Sequence, residues 1–240
     1  ELTRRLGLDE VRLVNDLEAA AAGIVELPSD RLETLQAGTS RPTANRAVLA
    51  PGTGFGQALL LWDGTRHRPV ASEGGHADFA PRNELEIELW RHVAKRHTHV
   101  SLEDVLSGPG LVTIHRFLLQ HGGSEEPEWL DGEDAAATIS TLARKDPSGP
   151  CAASVALFCE LLGAEAGNAA LRIMATGGIY LAGGVVHHLA PELRHSRFLE
   201  AFASKGRHEE LLRTVPVTLV LDNRVGLLGA ARLGGRAAAR

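Results

Sequence analysis

Cysteine and aromatic residues are scarce in this sequence. Its 240 residues include 2 cysteines, Cys151 and Cys159, and aromatic residues make up 4% of the chain. Both cysteines fall in one helical pattern, where eight residues of helix correspond to about 12 Å, too far for a disulfide. We therefore expect two small buried side chains, as in proteins of the reducing cytosol, and predict a cytoplasmic protein.

A strong charge of one sign and a long apolar run are missing as well. The formal net charge is −5, from 25 Lys and Arg against 30 Asp and Glu, which gives no reason to expect nucleic acid or an anionic membrane as a partner. The most apolar stretch, residues 152–162, contains Glu160 and falls short of the ~20 apolar residues that a membrane span needs. We therefore expect no nucleic-acid or membrane partner.

The hydrophobic pattern predicts an α/β fold, in which strands alternate with helices. The predicted strands are residues 46–50, 57–62, 179–182 and 215–221, and the predicted helices are residues 17–27, 83–97, 110–120, 133–146, 151–174 and 226–233. A further short strand is predicted at residues 11–14. Residues 29–44 are polar and are predicted to be a connection without regular structure.

Glycine is abundant, at 26 of 240 residues, about 11% against the usual ~7%. It falls in short clusters, which indicates functional turns. Residues 51–56, Pro-Gly-Thr-Gly-Phe-Gly, lie between two predicted strands. Their spacing matches neither the dinucleotide fingerprint nor the P-loop. The turn could aim backbone N–H groups at a phosphate, or it could be a tight hairpin connection.

Three further segments contain polar side chains or adjacent glycines that could form part of a site. Asn15-Asp16 begins a predicted helix directly after a predicted strand, where ligands of open α/β sheets bind, although Asp16 would also suit a helix cap. Glu73 and His76, in Glu-Gly-Gly-His, could bind sugar hydroxyls. Gly183-Gly184 could form a flat floor for a nucleotide base or allow close strand–helix packing.

Metal binding is the rival interpretation of the Glu-Gly-Gly-His segment. No second cluster has the spacing of metal ligands, so we predict no metal site in the chain. The neighbouring pairs His97/His99 and His187/His188 are expected to be surface residues.

Taken in order along the chain, these segments resemble bacterial glucokinases. The resemblance rests on VNDLEA from residue 14, APGTGFG from 50, EGGHADF from 73, VLSGPGL from 105, LAGGVV from 181, FASKGR from 202 and GLLGA from 226. It implies the two-domain fold of the actin-like ATPases (ribonuclease H-like). Residues 1–26 and 223–240 would then belong to the small domain, and residues 27–222 would form the large domain.

The resemblance also implies an activity, transfer of a phosphoryl group from ATP to the 6-hydroxyl of glucose with Mg2+, in the cytoplasm, within glycolysis and in a homodimer. It assigns Asp16 as general base; Asn15, Glu73, His76 and Glu103 to the sugar, with Asp104 as the alternative to Glu103; Thr53 and Gly54 to the ATP phosphates; and Gly183 and Gly184 to the adenosine pocket.

One segment of the family pattern is not matched. The family begins with a strand–turn–strand carrying Asp-Gly-Gly-Thr-Asn, which binds the phosphates, and nothing in this sequence corresponds to it. We therefore expect an incomplete small domain, weak glucose binding and poor turnover by these residues alone, with an apolar face left exposed.

Two alternatives differ in substrate or in class. One is a related kinase acting on mannose or an N-acetylated hexosamine. The repressor/open-reading-frame/kinase (ROK) group usually carries a Cys-rich zinc motif after its sugar-binding histidine, and no cysteine lies between His76 and Cys151. The other alternative is a non-catalytic sugar sensor of the same fold, although no basic helix-turn-helix segment is present.

Overall fold

The computed structural model describes residues 1–7, 11–39 and 41–237. The strands are β1 (Leu32–Gln36), β2 (Arg46–Pro51), β3 (Phe55–Trp62), β4 (His67–Ser72), β5 (Gly178–Leu181) and β6 (Val217–Val220). The helices are α1 (Leu2–Leu6), α2 (Asp16–Ile24), α3 (Glu84–Ala94), α4 (Gly108–His121), α5 (Ala135–Lys145), α6 (Pro150–Ile173), α7 (Gly184–His195), α8 (Phe198–Ala203), α9 (Glu209–Arg213) and α10 (Val225–Ala237). This arrangement confirms the predicted α/β class.

The six strands form one mixed sheet in the order β1-β6-β5-β2-β3-β4. The central pairs β2–β5 and β5–β6 are parallel, and the remaining pairs are antiparallel. Side chains alternate between the two faces. Ala47 and Leu49 therefore join the large core with α3 to α9, whereas Val48 joins a smaller core with α2 and α10.

Two polar edge strands were not predicted. β1 lies within residues 29–44, which were predicted to be irregular, and it pairs with β6 at one edge of the sheet. β4 pairs with β3 at the other edge and contains Pro69, a residue that only an edge strand tolerates. Neither segment is apolar enough to be read as a strand. β1 takes its hydrogen bonds from β6, which lies far away in the sequence, and β4 takes them from β3. Both pairs are antiparallel.

The predicted strand at residues 11–14 is wrong. Residues 11–15 have no regular structure, and the Leu13 side chain is 83% exposed. A short apolar run becomes a strand only when another strand pairs with it, and among the described residues none does so here. The chain enters α2 from an extended, solvated segment.

Helix α6 is the core helix of the large cluster. It is the one helix of the described chain that is long and apolar enough to cross a membrane, and 72% of that window is buried inside the fold. The apolar part of α6 is therefore longer than residues 152–162, the most apolar stretch found in the sequence. Cys151 and Cys159 are both buried, as predicted. Burial raises the pKa of the Cys159 thiol to about 12, which keeps that thiol unreactive.

Helices α2 and α10 cross at a pair of glycines. A Cβ added at Gly229 would collide with the carbonyl oxygen of Ala19 and lie 2.7 Å from the backbone nitrogen of Gly23. A Cβ at Gly23 would likewise meet the carbonyl of Val225. The two helices therefore touch backbone to backbone on one face of the sheet. The proposed division between residues 1–26 with 223–240 and residues 27–222 stays a prediction.

We predict that Gly229→Ala lowers the free energy of unfolding by about 3 kcal/mol or more, because a methyl group cannot enter this crossing without separating the helices. The measurement is urea unfolding. Gly234→Ala in the same helix is the matched control, since a Cβ there meets nothing within 4 Å and alanine should stabilise α10 slightly. Equal effects of the two substitutions would contradict the crossing.

Candidate active site

Asn15 and Asp16 stand at the beginning of α2. Asn15 caps the helix: its Oδ1 accepts hydrogen bonds from the backbone nitrogens of Leu17 at 2.9 Å and Glu18 at 3.1 Å. The cap role left open for Asp16 is therefore filled by Asn15. Asp16 is the first helical residue and its Oδ1 accepts from the nitrogen of Leu17 at 2.8 Å. Residues 15–17 line a polar cavity of about 330 Å³.

The glycine-rich turn 51–56 connects β2 and β3 as an antiparallel hairpin, which confirms that prediction. At two positions glycine leaves room for side chains from other segments. A Cβ at Gly56 would lie 2.6 Å from Cδ2 of Leu17, and a Cβ at Gly54 would lie 2.5 Å from Oε2 of Glu103. The turn thus forms the floor of the polar cavity beneath the start of α2.

Glu73 comes directly before a single turn of 3-10 helix, Gly74–His76, and His76 is the last residue of that turn. The turn rests on the hairpin, because a Cβ at Gly75 would collide with the carbonyl group of Phe55. This close approach brings Glu73 and His76 to the same polar cavity as Asp16.

Glu103 fastens the loop before α4 to both of these turns. Its backbone nitrogen donates to the carbonyl oxygen of Gly75 at 2.9 Å, and its Oε2 accepts from the nitrogen of Phe55 at 2.7 Å. The neighbouring Asp104 instead binds the backbone nitrogen and hydroxyl of Ser101, both at 2.8 Å. Glu103 lines the polar cavity and Asp104 does not, so the geometry favours Glu103 over its alternative.

A larger and mainly apolar cavity of about 550 Å³ borders the same turn. Gly52 and Thr53 line both cavities. The other walls are the start of α4, the segment leading into α5 and the start of α7. The sequence predicted that Gly183-Gly184 would line a nucleotide cavity, but it did not predict the walls from α4 and α5. The signals for these walls were a Gly-Pro-Gly at the beginning of α4 and acidic residues at the beginning of α5.

The two glycines before α7 have different roles. Gly184 lines the larger cavity. Gly183 is not among its lining residues and has φ 90°, and a Cβ there would lie 2.5 Å from the carbonyl oxygen of Pro51. Gly183 therefore allows close packing against the end of β2, and Gly184 lines the larger cavity. The assignment of both glycines to the adenosine pocket stays a prediction.

The histidine pairs lie on the surface, as predicted. His97 and His99 are about half exposed and face Asp104 and Asp78, with nitrogen–oxygen distances of 3.7 and 3.3 Å. His187 and His188 are exposed on α7. Within residues 1–7, 11–39 and 41–237, no group of three or more His, Cys, Asp or Glu side chains could hold a metal ion.

We predict that Glu103→Leu lowers the free energy of unfolding by about 1–3 kcal/mol, because the nitrogen of Phe55 would lose its acceptor in a partly buried position. Glu103→Gln keeps an acceptor oxygen and should cost less than half as much. Both values are measurable by urea unfolding. A glutamine variant as unstable as the leucine variant would mean that Glu103 does not hold the turn through this bond.

Comparison with known proteins identifies the chain. A family model described as Glucokinase matches residues 1–236. A glucokinase of Nostoc sp. is 39% identical over 252 residues, which cover 98% of this chain and 74% of that protein. The crystal structure of a glucokinase from an Antarctic psychrotroph matches with a TM-score of 0.86 and 34% identity, covering 96% of this chain and 70% of that one.

A third match concerns the fold alone. A ROK family glucokinase from Streptomyces griseus, solved with glucose and AMPPNP, has a TM-score of 0.62 and 22% identity over 97% of this chain and 70% of that one. The fold and its neighbours define a sugar kinase with the actin-like ATPase fold. Within that class, the chain belongs to the glucokinase family. It spans about three quarters of the length of the Nostoc relative.

Proposed function

We propose that this protein phosphorylates glucose at its 6-hydroxyl with ATP, and that Asp16 is the general base. The observation that carries the proposal is the pair of cavities that share Gly52 and Thr53 as a common wall. One cavity is polar and of sugar size, and the other is apolar and large enough for a nucleoside. A phosphoryl group could pass between them across the turn.

The polar cavity offers the groups that a sugar needs. Glu73, His76 and Glu103 supply acceptors for hydroxyl hydrogens. Because the Oδ1 of Asn15 already accepts two backbone N–H groups, its Nδ2 is the group left to donate to a hydroxyl oxygen. A hexose lacking one of these hydroxyls would leave a protein group without a partner and bind less well.

Asp16 is suited to activate the attacking hydroxyl. Phosphoryl transfer depends mainly on positioning and on stabilising charge, together with one carboxylate that orients the nucleophile and takes its proton. Asp16 stands on the rigid first turn of α2, which the glycine crossing with α10 fixes in place. The sugar groups Glu73 and His76 line the same cavity.

The apolar cavity fits the nucleoside part of ATP. We assign the phosphates to the backbone of Thr53 and Gly54, between the two cavities, and the adenosine to the walls that include Gly184. AMPPNP in the Streptomyces griseus glucokinase supports ATP as the donor. We assign Gly183, directly before Gly184, to the same adenosine pocket.

Mg2+ would arrive with the nucleotide. It usually keeps several waters and binds through substrate phosphates with one or two carboxylates, and the described residues form no metal cluster of their own. When bound, it would neutralise charge on the phosphates. The described lining of the two cavities contains no Lys or Arg, and the phosphate-binding Asp-Gly-Gly-Thr-Asn motif of the family is not matched in this sequence. We therefore expect slow turnover by this polypeptide alone.

Three further features implied by the resemblance remain part of the proposal: a cytoplasmic location, a place in glycolysis and a homodimeric assembly. A coupled assay with glucose, mannose, fructose and N-acetylglucosamine, each with ATP and Mg2+, tests the substrate. Faster turnover of another hexose would favour the related sugar kinase, and glucose binding without any turnover would favour the sensor.

We predict that Asp16→Asn lowers kcat by about 10²–10⁴-fold, the usual contribution of a general base, while glucose affinity and stability change little. Asparagine is tolerated at a helix start, so a mere structural role would leave turnover nearly intact. Glu18→Gln is the matched control, since it removes one negative charge from the same first turn outside the cavity. Turnover retained by Asp16→Asn would exclude Asp16 as the base.

A further inference from the structure

A second polar cavity, of about 190 Å³, lies behind the sugar-binding turn. Its walls come from the segment that follows this turn, from α6 and from the loop after α8. Three of its lining residues are cations, namely Arg82, Arg172 and Lys205. None of them lines either cavity of the proposed active site.

The two arginines already have carboxylate partners. Arg82 pairs with the buried Glu86 and lies 3.2 Å from Glu160. Arg172 donates to Glu165 at 2.6 Å. The side chains of Arg82 and Arg172 are 26% and 49% exposed. Both line the cavity, so each can still contact a ligand there.

Lys205 differs from the arginines. In the part of the chain that the structure describes, no hydrogen bond or ion pair of its ammonium group is found. Its aliphatic chain crosses α6 at Gly167, where a Cβ would lie 2.6 Å from Cε of the lysine. The glycine thus allows a half-buried cation to lie against the helix beside the cavity.

The surroundings make an added anion favourable at this lysine. Burial lowers the pKa of Lys205 and is the largest cause. The charges of Arg82 and Arg172 also lower this pKa, whereas the carboxylates of Glu165 and Glu86 act in the opposite direction. A partly desolvated ammonium without a close partner costs free energy. An anion between it and Arg172 would recover part of that cost through charge-assisted hydrogen bonds.

The carboxylates beside the cavity do not replace such an anion. Glu165 is 2% exposed, and its oxygens accept from Gln57 at 2.9 Å, Asn168 at 3.1 Å and Arg172. The Asp78 side chain is 89% exposed and faces His99. With Glu86 and Glu160 paired to Arg82 and Glu165 paired to Arg172, Lys205 is the cation of the cavity for which the described residues provide no hydrogen-bonded carboxylate.

We propose that this cavity binds a phosphate group, either as inorganic phosphate or as part of a small sugar phosphate. A phosphate accepts several hydrogen bonds at once, and the cavity presents the ammonium of Lys205, the guanidinium groups of Arg82 and Arg172 and the amide of Asn168. The volume of about 190 Å³ suits a phosphate group rather than a nucleotide.

The site adjoins the sugar-binding turn through one buried side chain. Gln57 donates to Glu165 at 2.9 Å, and a Cβ at Gly74 would lie 2.7 Å from Oε1 of the same glutamine. A phosphate on Arg172 and Lys205 would thus contact the network that supports Glu73 and His76. The inference concerns phosphate binding itself and does not depend on the proposed kinase activity.

The test is thermal unfolding in increasing sodium phosphate, with sodium chloride at equal ionic strength as reference. Saturating glucose and AMPPNP are present to occupy the proposed active site without forming a sugar phosphate. Phosphate stabilises proteins without binding because it is excluded from their surface, so the expected result is a rise in Tm that exceeds the rise seen in Lys205→Gln at the same phosphate concentration. Lys205→Gln should weaken the apparent phosphate affinity about tenfold or more, the effect of losing one charge-assisted hydrogen bond. Lys205→Arg should keep the affinity within a few-fold.

Lys145→Gln is the matched control, because Lys145 is an exposed lysine at the end of α5 and its loss should leave the phosphate effect unchanged. The Tm of each variant without phosphate reports whether it folds, and Lys205→Arg keeps the test valid if Lys205→Gln does not fold. A sugar phosphate that binds more tightly than inorganic phosphate would identify the source of the group. Equal stabilisation by chloride, undiminished phosphate binding by Lys205→Gln, or its loss in Lys205→Arg would overturn the proposal.

Discussion

The site depends on how closely other segments approach the backbone of turn 51–56. Leu17 at the start of α2 lies where a side chain on Gly56 would be, and the carboxylate of Glu103 lies where one on Gly54 would be. These contacts are backbone to side chain, so a side chain added at Gly54 would have to push the Glu103 carboxylate aside, and one added at Gly56 would have to push Leu17 aside. A change in the turn would therefore disturb side chains on both sides of the polar cavity.

The same turn also relates the two proposed substrates. Because Gly52 and Thr53 line both cavities, a sugar and a nucleotide would be positioned by one piece of backbone rather than by separate loops. Positioning of this kind is the main contribution a protein makes to phosphoryl transfer. It explains why most of the candidate residues converge although they come from four segments far apart in the sequence.

Much of this could be predicted from the sequence, and the failures share a physical cause. The hairpin of β2 and β3 and helix α6 follow from local patterns, so they were found, whereas the cap considered at Asp16 is made by Asn15. The edge strand β1 takes its hydrogen bonds from β6, which lies far away in the sequence. The edge strand β4 forms a local hairpin with β3 after Asp63-Gly64, but its polar residues hid it. The bond between Glu103 and the nitrogen of Phe55 joins distant segments and became visible only in the fold. The same holds for the position of Lys205, whose ammonium has no hydrogen-bond partner among the described residues.

The most direct test of the central claim is a crystal structure of the protein with glucose and AMPPNP. The account predicts the 6-hydroxyl oxygen within hydrogen-bond distance of the Asp16 carboxylate, with the other hydroxyls on Glu73 and His76 and the phosphates at Thr53 and Gly54. Glucose bound elsewhere, or bound in this cavity with its 6-hydroxyl directed away from Asp16, would contradict it.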